Sequence, residues 1–172
     1  MVKKIFMLMR SVAGIVTTLG LSSCSGLKPC CPVTSKFNAY EIHVETDETV
    51  RNISLRVHLA GIDDYSILKN INTDQYWEKP IHIAKELKFG RNAESVQIIS
   101  IDDPLWKTWK DTGATRLLIV SDMPGTYSVD TGDPRKLVLP LDRRCWRGKI
   151  IKVRLRKDGI IPSPSPYPVC SN

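Results

Sequence analysis

The sequence predicts an all-β domain folded as a β-sandwich. Three observations point there. About seven short runs carry strand patterning, turn-rich stretches separate them at sandwich-like spacing, and helical signals are confined to short segments. No internal repeat is present.

The first strand is expected over Phe37 to Thr46. Tyr40, Ile42 and Val44 alternate with Glu41, His43 and Glu45, the period-two pattern of a half-buried strand. Ile53 to Ala60 repeats it, with Ile53, Leu55, Val57 and Leu59 on one face and Ser54, Arg56 and His58 on the other. Asp47 to Asn52 is a short polar loop with one apolar residue, Val50. The two strands read as a hairpin or as neighbours in a sandwich, with Glu41 and Glu45 available to Arg56 across the outer face.

Gly61 to Pro80 is irregular and reads as a short helix or wrapped excursion that packs Tyr65, Tyr76 and Trp77 against the sandwich. Ile81 to Phe89 is ambiguous: its apolar residues mostly alternate, yet Ala84 to Leu87 are good helix formers. Ser95 to Ile101 is a strand. Asp102 to Lys110 predicts a helical turn or two, with Asp103 as cap and Pro104 at the first helical position. Trp106 and Trp109 then share one side and plug one end of the sandwich. Leu117 to Val120 is a continuous apolar run, the best candidate for a central strand buried on both faces. Leu137 to Leu141 and Lys149 to Leu155 complete the set, the latter with Ile151, Val153 and Leu155 inward. Four prolines between 160 and 172 favour an extended polyproline tail.

The first 24 residues organise the chain's placement. Lys3, Lys4 and Arg10 supply a positive start, Ser11 to Leu21 is a short apolar run, and Leu21-Ser22-Ser23-Cys24 closes it. This is the make-up of a secretory signal peptide. An uncleaved membrane span fits less well, because Arg10 interrupts a run already shorter than the roughly 20 residues a span needs. The Leu-Ser-Ser-Cys ending resembles the lipobox of bacterial lipoproteins, which implies cleavage before Cys24 and lipid on its sulfur. A plain signal peptide with a coincidental Cys24 is the alternative. The expected organisation is a signal peptide over 1–23, a tether over 24–36, a β-sandwich over 37–157 and a proline-rich tail over 158–172.

The formal charge of +7 overstates the basicity of the remainder, since three basic residues lie in the signal. Charge is uneven: from Arg135 onward ten Lys or Arg face two Asp. Such an end can meet anionic headgroups or an acidic partner; the plainer reading is a solvated strand face. The excess is too small to argue for nucleic acid. Cys30, Cys31, Cys145 and Cys170 remain beside Cys24, an even number in an oxidising compartment. Adjacent Cys30 and Cys31 are poorly placed to bond each other, so one or both are expected to reach Cys145 or Cys170. A zinc site lacks both a Cys-x-x-Cys pair and a nearby histidine pair.

An enzyme needs converging groups, and the sequence offers none. His43 and His58 fall on outward strand faces, His82 follows a proline, and no nucleophile elbow, phosphate loop or His-Glu-x-x-His helix occurs. Asp63-Asp64 and Asp102-Asp103 read as turn and cap residues. No metal or cofactor is expected, and the domain is expected to act by binding. A carbohydrate or small-ligand platform of Tyr65, Tyr76, Trp77 or the Trp106 and Trp109 pair is the alternative.

The order of lipobox, tether, first strand, Ser54 to Leu59, aromatic segment, Glu86 to Gly90, Gly113 to Val120, Trp146 and a final Val153-Arg154-Leu155 strand resembles the outer-membrane lipoproteins of type VI secretion systems. The resemblance implies a transthyretin-like sandwich of seven to eight strands with a small helical addition. It implies a domain held to the outer membrane, facing the periplasm, that grips the periplasmic domain of an inner-membrane core protein. In that family the loop between the first two strands makes the contact. Here that is Asp47, Glu48, Thr49, Val50, Arg51 and Asn52, with Val50 burying against the partner and Asp47, Glu48 and Arg51 setting charge complementarity. Ser25 after the lipid cysteine is not the aspartate that marks inner-membrane retention in enteric bacteria.

Overall fold

The computed structural model describes residues 39–63, 71–125, 132–146 and 148–163. Within them run β1 (Glu41–Thr46), β2 (Leu55–Ile62), α1 (Thr73–Glu78), β3 (Ala84–Phe89), β4 (Val96–Ile99), α2 (Leu105–Asp111), β5 (Arg116–Ser121), β6 (Lys136–Pro140), β7 (Ile150–Arg156) and β8 (Gly159–Pro162). They form two four-stranded sheets, ordered β4-β1-β7-β8 and β3-β2-β5-β6. The expected all-β sandwich with a small helical addition is the fold.

Period two decides what faces in. Ile42 and Val44 of β1, Leu55, Val57 and Leu59 of β2, and Ile151, Val153 and Leu155 of β7 fill one core between the sheets. β5 lies centrally between β2 and β6 and is buried on both faces, as its apolar run requires. Leu117 and Ile119 enter the main core, while Leu118 and Val120 meet Ala60, Ile62 and Tyr76 in a second cluster beneath α1. The ambiguous stretch before Gly90 resolves as β3. Its neighbours decide this: Leu87 and Phe89 pair with Val57 and Leu55 and share their buried face.

Three expectations change. β1 and β2 are not a hairpin, because they lie in opposite sheets; β1 pairs instead with β4 antiparallel and β7 parallel. The charge pairs follow that topology. Glu45 meets Arg154 at 2.7 Å, and Arg56 meets Asp122 at 2.8 Å, so neither Glu41 nor Glu45 pairs with Arg56. The sandwich also runs past residue 157. Gly159 to Pro162 forms edge strand β8 against β7 rather than the start of a polyproline tail. Gly159, at φ +140°, lets the chain turn there, and a β-carbon on it would sit 2.6 Å from Pro134 Cβ. Ile160 N–H then donates to Pro134 O at 2.8 Å, tying β8 to the segment that enters β6.

The basic excess from Arg135 onward is answered by the acidic part of the chain. Arg154 meets Glu45, Arg156 lies 3.6 Å from Asp47, and Arg135 meets Asp74 at 2.6 Å. The asymmetry along the sequence therefore becomes pairing across the fold.

Candidate partner-binding end of the sandwich

Strand directions separate two ends. β1 and β7 run parallel and β4 runs against both, so the loop after β1, the loop before β4 and the β7–β8 turn gather at one end. Hydrogen bonds join them: Thr46 N–H to Ser95 O at 2.9 Å, Asp47 N–H to Leu155 O at 3.0 Å, and Lys157 N–H to Thr49 Oγ1 at 3.0 Å.

Residues 47–52 are held from within. Asp47 Oδ1 accepts from Thr49 N–H at 2.9 Å and from the Thr49 hydroxyl, an Asx-type turn. Val50 N–H donates to Asp47 O at 3.3 Å, and Ile53 N–H to Val50 O at 2.9 Å. Val50 is 1% exposed and belongs to the main core. The expectation that it buries against a partner gives way for that reason: it is already spent on its own domain, where it nails the loop down. Asp47 is likewise occupied with the turn and with Arg156. What the loop offers outward is Glu48, Thr49, Arg51 and Asn52, with exposed Lys157 and Asp158 of the adjoining turn. The surface is polar, carries both signs, and stands on a fixed backbone.

The opposite end is plugged by aromatics. Asp103 Oδ1 accepts from Leu105 N–H at 3.0 Å and caps α2, as expected. Trp106 and Trp109 then meet edge to face at 5.0 Å, both buried, and Tyr40 packs 6.2 Å from Trp106 and 6.3 Å from Trp146. The indole N–H groups of Trp106, Trp109 and Trp146 donate to the carbonyls of Ser100, Ile83 and Pro140. The chain enters β1 at this end, through Ala39 and Tyr40. The length of β1, six residues or roughly 20 Å, separates that entry from loop 47–52.

A ligand platform is not formed by these aromatics. Tyr76, Trp106 and Trp109 are buried, and Trp77 is half-buried, so no set of their ring faces is presented together. Tyr65 lies outside the described residues.

His58 departs from expectation. It sits on the outer face of β2 yet is buried, because α1 covers that face. Asn72 caps α1, its side chain accepting from Asp74 N–H and Gln75 N–H. The helix lays Tyr76 and Trp77 beside His58, with ring centroids 5.7 and 4.6 Å away. His58 Nδ1 lies 3.1 Å from Tyr76 Oη and Nε2 lies 3.1 Å from Glu86 Oε2. Burial pushes the Tyr76 phenol up to about 12, so it keeps its proton at neutral pH. Lys88 and His58 hold the Glu86 carboxyl below its usual range, so it is an acceptor. The ring thus bridges the Tyr76 hydroxyl through Nδ1 and the Glu86 carboxylate through Nε2, the latter as Nε2–H donor. Arg56 closes the cluster, its guanidinium carbon 4.8 Å from the Trp77 ring centre. This relay fixes α1 to the sheet. The signal in the sequence was Asn72 set ahead of Tyr76-Trp77, a cap followed by an aromatic pair.

The other histidines stand apart: His43 beside Glu41, and His82 exposed before β3. Among the described residues no group of three His, Cys, Asp or Glu is placed to hold a metal, and no helix is long and apolar enough to cross a membrane. Cys145 is buried beside Trp146. Cys24, Cys30, Cys31 and Cys170, the signal peptide and the tether lie outside the described residues.

No protein-family model matches the sequence, and no curated protein matches it. Solved structures do match in fold. One is the C-terminal domain of the type VI secretion protein TssM from EAEC, with TM-score 0.53 and 10% identity over 73% of this chain and 98% of that one. Another is Lip of Serratia marcescens, described as a membrane-bound component of the type VI secretion system, with TM-score 0.52 and 8% identity over 73% of this chain and 97% of that one.

Proposed function

We propose that this chain is a lipid-anchored, periplasm-facing sandwich that tethers a secretion-system membrane complex to the outer membrane. Cys24 carries the lipid, and the sandwich binds the periplasmic domain of an inner-membrane core protein. The main support is the fold shared with the membrane-bound Serratia protein Lip across 97% of that chain, joined to a lipobox-like Leu21-Ser22-Ser23-Cys24 in this sequence. Loop 47–52 is the contact, through Glu48, Thr49, Arg51 and Asn52. Its place at the end away from Ala39 and Tyr40 suits a domain held at one end and gripping at the other. Opposite charges at Glu48 and Arg51 set register and encounter rate rather than bulk affinity.

A disulfide from Cys145 to Cys30, Cys31 or Cys170 belongs to the same proposal. Its support is the burial of Cys145 and the oxidising compartment that a signal peptide implies. Peptide mapping without reductant identifies the pair.

The test is a pull-down from detergent-solubilised envelopes with the full chain, beside Glu48→Ala/Arg51→Ala/Asn52→Ala, which leaves Asp47 and Val50 in place. Capture of a large inner-membrane protein by the parent and its loss in the triple variant are expected. Equal capture by both relocates the contact, and capture by neither removes the tether reading.

A further inference from the structure

The four sheet edges of the sandwich are protected unequally. β6 and β8 are tied together through Ile160 and Pro134. β3 carries Lys85, Glu86 and Lys88, the charges that keep a strand edge from pairing with another chain. β4, the outer strand of the other sheet, carries none. From Ser95 to Ile101 the sequence is Ser-Val-Gln-Ile-Ile-Ser-Ile, without charge, proline or glycine. Its outward side chains are exposed: Val96 at 39% and Ile98 at 55%, with Ile101 at 40% beyond the strand. Gln97 and Ile99 point the other way, Gln97 Nε2 donating to Lys88 O at the neighbouring edge and Ile99 entering the core.

We propose that β4 is a self-pairing edge, joining antiparallel to β4 of a second copy of this chain. The register follows from geometry. Residues directly opposite in an antiparallel pair project to the same face, and a two-fold axis perpendicular to the sheet keeps outer face with outer face. With the axis at Gln97, Val96 of each copy stands opposite Ile98 of the other. The four apolar side chains then form one block that covers their exposed surfaces. Moving the axis to Val96 sets Glu94 against Ile98, and moving it to Ile98 sets Ser100 against Val96. Only the Gln97 axis sets both outward apolar residues of β4, Val96 and Ile98, against apolar partners, and no like charges meet along the strand. The β4-β1-β7-β8 sheets of the two copies become one sheet of eight strands. The surface is distinct from loop 47–52, so a dimer leaves that end open.

The experiment is sedimentation velocity on the full chain in mild detergent across a concentration series, with Ile98→Lys, Val96→Lys and Ile83→Lys. Ile83 is a comparable exposed apolar residue, 38% exposed and outside β4. Expected is a concentration-dependent dimer for the parent and the Ile83 variant, and monomer for both β4 variants, with thermal midpoints close to the parent. A parent that stays monomeric overturns the proposal, as does a dimer unmoved by either β4 change or weakened equally by Ile83→Lys. Hydrogen exchange on β4 names the competing occupant. If its amides gain protection only when a different envelope protein is added, the edge belongs to a foreign strand and self-pairing is wrong.

Discussion

A β-carbon placed on Gly61 would lie 2.5 Å from Cγ of Trp109 and 2.8 Å from its Cβ. The indole thus rests directly on the backbone of β2, and Trp109 is 0% exposed as a result. Gly61 looks like a loop residue in the sequence, a breaker after a strand. In the fold it is the seat of the aromatic plug.

Gly61→Ala tests this. The methyl group has no flexible neighbour to displace, only the root of a buried indole and the Ala114 methyl at 2.9 Å. Overpacking of this kind costs about 1–3 kcal/mol. A lower thermal midpoint with unchanged far-ultraviolet circular dichroism is expected. Parent-like stability would mean that Trp109 is loosely held.

Loop 47–52 separates into a buried and an offered part, and the two respond to different measurements. Val50→Ala removes core methyl groups and is expected to cost about 1–3 kcal/mol in urea denaturation. Glu48→Ala and Arg51→Ala touch no buried group and should stay within about 0.5 kcal/mol. Loss of partner capture in Arg51→Ala at full stability assigns Arg51 to binding.

Asp133 sets an acid limb. Burial opposes its charge, but that is outweighed by Arg135, whose Nε and backbone N–H both donate to Oδ1 at 3.0 Å. Its folded-state pKa is therefore below the ordinary 3.8. The unfolded chain binds this proton more readily. The contribution is present above pH 3.8 and disappears as pH falls through the lower, folded value. Asp133→Asn is expected to lower stability at pH 7 and to flatten its decline below pH 4, read from urea midpoints at each pH.

The strands were legible wherever one face alone was buried or where both were. Ile151, Val153 and Leu155 announced β7 by alternation, and Leu117 to Val120 announced β5 by the lack of it. Alternation tells which side chains turn inward, not which sheet holds the strand, so the separation of β1 from β2 was invisible. β8 was hidden by Pro162 and by the prolines that follow it in the sequence. β8 pairs with β7 across the Lys157-Asp158 turn that Gly159 completes, but the bond from Ile160 to Pro134 that ties it to the segment entering β6 is not local in sequence. Val50 was read as bait for a partner because a lone apolar residue in a polar loop has two uses, and sequence cannot choose between a foreign pocket and its own core. His58 was misread because an outward strand face meets solvent only where no helix lies over it.

The parallel pairing of β1 with β7 sets a schedule for folding. Glu41 stands opposite Ile150, so the first strand finds one of its two neighbours only when nearly the whole domain has been made. β4 can flank β1 earlier, and β3 and then β5 can pair antiparallel on either side of β2 before β7 is made. The closing event joins the two ends of the chain, a contact of very high sequence separation that slows folding. Until then β1 has one open flank, and a chain delivered N-terminus first must keep its leading strand unspent until its last quarter arrives.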